Sequence, residues 1–255
     1  MKKITKDLLA VEIYDTRAKM GKAAGALAAK RIKEILAVKE EANVIFAAAP
    51  SQNEMLAALI EADGIDWGRV NAFHMDEYIG LSADAPQGFG NFLKDAIFGK
   101  LPFKSVNYIN CEAKDVDGEC ERYTALLKAN PVDVVLLGIG ENGHIAFNDP
   151  HVADFNDPAT VKAVELDEVC RQQQVNDGCF KTLSEVPKYA LTLTIPTLVS
   201  AKHLVCTVPA ATKAWAVGRT VNGEINEECP ATIMRKHNSV VMFCDSDSGR
   251  ELLQR

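Results

Sequence analysis

Residues 134–150 read VVLLGIGENGHIAFNDP. The stretch opens on four consecutive branched apolar residues, Val134 to Leu137, and closes on a loop of glycines and polar side chains. A strand with one solvated face would alternate apolar and polar residues, so this one is expected to be buried on both faces. Runs of the same kind recur at 44–49 (VIFAAA), 69–74, 203–208 (HLVCTV) and 239–244 (SVVMFC). Segments of helical period lie between them. Over 16–37, Met20, Ala24, Leu27, Ala28, Ile32, Ile35 and Leu36 recur at intervals of three and four. Ser51 with Glu54 forms a capping-box pattern that opens a helix to about Asp63, closed by Gly64. Further helices are expected near 89–98, 117–129, 210–221 and 230–236, and further strands at 106–109, 133–138, 161–166 and 190–195. Short apolar runs alternating with amphipathic helices specify an α/β fold around a mostly parallel sheet.

The 255 residues correspond to one large domain or two small ones. With 47% hydrophobic and 25% charged residues, a disordered or fibrous chain is excluded. The 28 basic against 35 acidic residues give a net charge of −7, which argues against a nucleic-acid or anionic-membrane partner. An anionic small molecule remains compatible, because a local basic site can sit in an acidic protein. No apolar run approaches the ~20 residues of a membrane span. The opening MKKITKDLLAVEIYD lacks the apolar core of a signal peptide, so a cytoplasmic location is expected. The seven cysteines are scattered, odd in number and without CxxC spacing, which fits a reduced interior better than disulfides or zinc. The five histidines form no HxH or HxxxH pair, and no metal or cofactor is expected. A Walker loop and a GxSxG elbow are also missing from the sequence.

Ligands of such sheets bind at the carboxyl ends of the strands, and four strand-end loops stand out. In 138–150, Gly138, Gly140 and Gly143 permit close backbone approach, beside Glu141, Asn142, His144, Asn148 and Asp149. A histidine there could be a general acid/base held by an amide or carboxylate, or the incidental histidine of a surface loop. In 74–80, Asp76 and Glu77 are adjacent, so at most one faces a substrate, as a base for carbon-acid chemistry. The other reading is a polar turn with a capping Asp. In 47–54, Ser51 and Gln52 open a helix whose free N–H groups could hold a phosphate, or Ser51 and Glu54 could cap it without a ligand. In 208–214, Lys213 is either a point charge for phosphate or a solvated lysine.

These loops, with VNAFHMDEYIGL (70–81), VVLLGIGENGHIAFNDP (134–150) and VPKYALTLTIPTL (186–198), resemble the glucosamine-6-phosphate deaminase/isomerase family over nearly the whole chain. The related 6-phosphogluconolactonases share that fold, but the IAFNDP that follows His144 is the deaminase form. The resemblance implies a three-layer α/β/α, Rossmann-like fold, a single domain over 1–255 with a small lid within about 151–187. It implies conversion of glucosamine 6-phosphate and water to fructose 6-phosphate and ammonia, without a metal or cofactor. By position, Asp76 is similar to the base that moves a proton between C2 and C1, and His144 to the acid/base that opens the sugar ring. Asn142 and Asp149 correspond to its electrostatic partners. Ser51, Gln52, Gly143 and Lys213 fall among the substrate-binding positions, Ser51 and Lys213 as phosphate ligands.

Two departures bear on the substrate. Well-known members carry Asp where this chain has Asn142, and an amide orients the imidazole without sharing its proton. The family's lid arginine, a phosphate clamp, falls at Gly178 here, and Arg171 lies upstream, followed by Gln172–Gln174. A 6-phosphate is still expected to be required, with weaker recognition or with compensation from Arg171 or the glutamine run. A lactonase on the same fold and a non-catalytic sugar-phosphate sensor are the alternatives. The partner expected is a phosphorylated amino sugar, with neither nucleic acid nor membrane; a homo-oligomer is left open.

Overall fold

The computed structural model describes residues 1–254. Its strands are β1 (Lys2–Lys6), β2 (Leu9–Tyr14), β3 (Ala42–Phe46), β4 (Val70–His74), β5 (Asp76–Tyr78) and β6 (Ser105–Asn107). They continue with β7 (Val134–Leu137), β8 (Val161–Glu165), β9 (Tyr189–Leu193), β10 (His203–Val208) and β11 (Val240–Asp245). The helices are α1 (Arg17–Leu36), α2 (Asn53–Ile60), α3 (Phe89–Leu93), α4 (Val116–Ala129), α5 (Glu168–Asn176), α6 (Ile195–Val199), α7 (Ala214–Asn222) and α8 (Arg250–Leu253).

Eight strands form one sheet in the order β1-β2-β11-β10-β7-β3-β4-β6. All its pairings are parallel except the β1–β2 hairpin. Alternate side chains enter two separate cores. Val44, Phe46, Val134, Leu136 and Val205 pack under α1, α2 and α3, while Ile45, Val135, Leu137, Leu204 and Cys206 pack under α4, α6, α7 and α8. Burial of both faces is what the apolar run VVLL required, and the result is the three-layer α/β/α arrangement. Among the described residues no helix is long and apolar enough to cross a membrane.

A second, antiparallel sheet of order β5-β9-β8 stands apart from the first. The strands expected at 161–166 and 190–195 are therefore present but belong to this small sheet. The chain enters it within one residue of leaving β4: only Met75 separates His74 from Asp76, and its carbonyl accepts the N–H of Leu193. Asp76, expected in a strand-end loop, is thus a strand residue.

The expected capping box does not form. Pro50–Gln52 make a 3-10 turn, α2 starts at Asn53 with no side-chain cap, and Glu54 pairs with Arg17 at 2.7 Å. Arg17 also donates to the Pro50 carbonyl, so one guanidinium holds the turn from α1. The two helices can lie this close because Gly25 faces α2: a Cβ there would sit 2.7 Å from Ala58 Cβ. The expected helix at 89–98 continues past α3 as a π-turn over Lys94–Phe98, and the expected 210–221 helix begins as a 3-10 turn over Ala211–Lys213. The 230–236 segment is 3-10 rather than α-helical.

Candidate active site

The loops that follow β3, β7 and β10 meet above the carboxyl ends of their strands and line a cavity that opens to solvent, about 510 Å³ with its mouth included. Ser51, Gln52, Asp76, His144 and Lys213 all line it, with Gln173 and Gln174 of α5 on another wall. Met75, Phe89 and Phe147 supply apolar surface. Asn142 and Asp149 stand behind His144 and do not line the cavity.

His144 lies flat against Gly140. A Cβ at Gly140 would come within 2.2–2.3 Å of three ring atoms, so only glycine leaves room for the imidazole. Its Nδ1 is 2.9 Å from Asp149 Oδ1. The approach is close but out of line for a ring N–H bond, and Nδ1 is left without an aligned partner. Asp149 is fully buried and also accepts from Asn142 Nδ2 at 2.9 Å and, more weakly, from the Asp167 N–H at 3.4 Å. Burial pushes its carboxyl up. The imidazole beside it, the amide of Asn142 and that N–H outweigh the burial and hold it below the usual range.

The geometry accounts for Asn142. Its amide nitrogen donates to both Asp149 (2.9 Å) and Asp167 (3.2 Å), while its oxygen accepts the His144 N–H at 3.0 Å. An aspartate at 142 would place a third carboxylate against these two with no proton to share. Asp167 itself caps α5, accepting from the Cys170 N–H. Sequence reasoning does not single out Asp167 for this network, although an Asp three residues before Cys170 at a helix start is a recognisable capping signal.

Asp76 is 6% exposed and, among the described residues, its carboxylate has no hydrogen-bond partner. Burial, and then the charge of Glu77, push its pKa well above the ordinary carboxylate value. Glu77 faces the other way and accepts three backbone N–H groups, from Tyr78, Phe89 and Gly90, at 2.8–3.0 Å. The two adjacent carboxylates divide as alternation along a strand requires: one enters the cavity, the other anchors the start of α3.

His74 holds this arrangement from behind. The Ile109 N–H donates to His74 Nε2 at 2.9 Å, so Nε2 carries no proton, and Nδ1–H donates to the Asp76 carbonyl at 2.9 Å. Complete burial lowers its pKa to about 4, which keeps it neutral.

Lys213 is 4% exposed, and its ammonium has no hydrogen-bond partner among the described residues. Burial lowers its pKa, against the opposing charges of Asp177 and Glu141. Gln52 reaches past Gly138, where a Cβ would lie 2.9 Å from Nε2, to donate to Ser51 Oγ and the Thr207 carbonyl.

Two expected ligands lie elsewhere. Gly143 sits at φ +86° against Cys229, its N–H bonded to the Gly140 carbonyl and its own carbonyl to the Ala231 N–H. It shapes the loop from outside the cavity. Arg171 turns away to the carbonyls of Leu183 (2.7 Å) and Val186 (2.9 Å). Gly178, where the resemblance expects an arginine, ends α5 at φ +77°, a conformation that disfavours any residue with a Cβ.

The description "Glucosamine-6-phosphate isomerases/6-phosphogluconolactonase" matches residues 15–243. The chain belongs to this family. A Bacillus cereus glucosamine-6-phosphate deaminase is 36% identical over 219 residues, covering 86% of this chain and 81% of the relative. A solved monomeric glucosamine-6-phosphate deaminase superposes with a TM-score of 0.85 at 29% identity, covering 94% of this chain and 98% of the other. The 6-phosphogluconolactonase of Trypanosoma brucei shares the fold, with a TM-score of 0.77 at 17% identity over 98% of this chain and 100% of its own.

The raised pKa of Asp76 carries a stability consequence. A carboxyl whose folded value lies above its unfolded value costs stability wherever the unfolded chain has ionised, above about pH 4. That cost disappears as pH falls below this value. Asp76→Asn is therefore expected to melt above the wild type at pH 7, with the difference narrowing below about pH 4. Thermal melts of both proteins across this range check it.

Proposed function

We propose that the protein is a glucosamine-6-phosphate deaminase, converting glucosamine 6-phosphate and water to fructose 6-phosphate and ammonia. The observation that carries this reading is Asp76, a desolvated carboxylate without a partner that shares one cavity with His144 and the unpaired ammonium of Lys213. Lactone hydrolysis has no use for a carbon base, whereas moving hydrogen from C2 to C1 requires one. The deaminases are also the closer in sequence of the relatives compared above, 29–36% identical against 17%.

In this reading the phosphate dianion is the counter-charge of Lys213, beside the Ser51 hydroxyl and Gln52. His144 donates its proton to the ring oxygen as the 1-hydroxyl proton is removed, which opens the ring. Asp76 takes the C2 proton to give an enolamine and returns it to C1. The resulting C2 iminium adds water and expels ammonia, leaving the ketone. Asp149 and Asn142 orient the imidazole, and the carboxylate stabilises it when charged. The segment 151–187, with Gln173 and Gln174 reaching the cavity from α5, acts as the lid. Arg171 braces the lid from within, and the glutamines take the place of the family's arginine. Seven unpaired cysteines fit work in the reducing cytoplasm.

The test is ammonia and fructose 6-phosphate formation from glucosamine 6-phosphate, run beside hydrolysis of 6-phosphogluconolactone. The expected result is turnover of the amino sugar and none of the lactone; the reverse selects the lactonase, and neither selects a sensor. Asp76→Asn should lower turnover at least ~100-fold with little change in substrate binding. A charge-assisted hydrogen bond contributes about 1.5–3 kcal/mol, so Lys213→Ala should raise KM roughly 10- to 150-fold.

A further inference from the structure

Behind His144 lies a group the reaction does not use. Cys170, in the first turn of α5, is completely buried, and its Sγ, a ring nitrogen of His144 and an Asp149 oxygen all lie within 4.8 Å of one another, with Nδ1 the nitrogen that faces Asp149. His144 Nδ1 is itself buried and has no aligned hydrogen-bond partner. Thiolate, imidazole and carboxylate are the donor set that zinc prefers over magnesium or calcium. Tetrahedral zinc with bonds of about 2.0–2.3 Å sets its donors roughly 3.3–3.6 Å apart. The 2.9 Å His144–Asp149 separation would have to open by about half an ångström to reach that value.

We propose that Cys170 Sγ, His144 Nδ1 and the Asp149 carboxylate form a binding site for a thiophilic divalent cation of the zinc class, whose occupation inhibits the enzyme. Two of the ligands come from the loop after β7 and the third from α5, so the ion fastens the lid helix to the loop that carries the acid/base. Binding releases the Cys170 thiol proton to solvent and leaves the fourth position for water. It stops catalysis in two ways. A metal on Nδ1 opposes protonation of the other ring nitrogen, and Asp149 is drawn from the imidazole to the ion. Across Asp149, His151 and Asp167 complete a second group with it, an oxygen-rich donor set in which only His151 is exposed. Zinc and cobalt are separated from it by the thiolate. The inhibitory consequence rests on the roles proposed for His144 and Asp149; the binding does not.

The test uses cobalt(II) as a spectroscopic probe of the full chain. The expected result is one equivalent bound, with a thiolate-to-cobalt charge-transfer band and intense tetrahedral d–d bands, both abolished by zinc. In Cys170→Ala the band should disappear. Cys170→Ser, nearly isosteric, should lose it too if the alanine variant folds poorly by circular dichroism. A wild type without the band, or a variant that keeps it through one of the six other cysteines, overturns the site. Zinc inhibition of deamination, reversed by a chelator, should weaken at least as much in Cys170→Ala as the 10–100-fold that loss of an outer-shell partner costs a metal site. Each protein is compared with its own uninhibited rate, and equal sensitivity overturns the inhibitory role. If neither protein releases ammonia from glucosamine 6-phosphate, the functional reading fails while the cobalt spectrum still decides the site.

Discussion

The candidate site hangs from the point where the chain passes from one sheet to the other, and a neutral imidazole holds that point. His74 ends β4 of the parallel sheet, and Asp76 begins β5 of the antiparallel one. His74 accepts from Ile109 and donates to the Asp76 carbonyl. Its own backbone N–H and carbonyl are both bonded to the Tyr123 hydroxyl at 3.0 Å. A second proton on the ring would destroy the Ile109 bond, and burial keeps it off. The Asp76 backbone is thus fixed from the core side by His74 and from the small sheet by the β5–β9 ladder, so the carboxylate is delivered to the cavity without a hydrogen bond of its own.

Charge economy explains the rest of the cavity. Asp76, Asp149 and Asp167 lie near or behind it and are handled in two ways. Asp149 and Asp167 share the Asn142 amide, which is why an amide suits position 142 in this chain. Asp76 has no such donor and is driven toward its protonated form, so it can both take and return a proton at a carbon. Lys213, a buried cation in the cavity wall, has no partner among the described residues and calls for an anion from outside. With Gly178 ending α5 and Arg171 spent on the carbonyls of Leu183 and Val186, phosphate recognition in the proposed reading passes to Lys213, Ser51 and the amides of Gln173 and Gln174.

Much of this was legible in the sequence, for identifiable reasons. The β3, β7 and β10 runs are apolar on both faces and could only be interior strands, so the loops that follow them could be picked out before any contact was known. The β1–β2 hairpin escaped because β1 is a lysine-rich edge with almost no apolar face. β5 escaped because three residues immediately after β4 look like its continuation; its identity depends on pairing with β9 more than 110 residues later. The Ser51–Glu54 pattern misled because Arg17, from another helix, claims Glu54. The sequence points Arg171 toward the substrate because its actual target, the Leu183 and Val186 carbonyls around the Leu183–Glu185 turn, exists only in three dimensions. Cys170 is indistinguishable in sequence from a small core residue, and only the fold sets it beside His144.

The account stands on carbon-acid chemistry at C2, and the fate of that hydrogen tests it most directly. Glucosamine 6-phosphate deuterated at C2 is turned over in ordinary water, and the product is read by mass spectrometry and NMR. The account predicts that every molecule deaminated has lost deuterium from C2, with a primary isotope effect on turnover and part of the label recovered at C1 of fructose 6-phosphate. Release of ammonia with the deuteron still on C2 would contradict it, since the amine would then have been displaced without any work for Asp76.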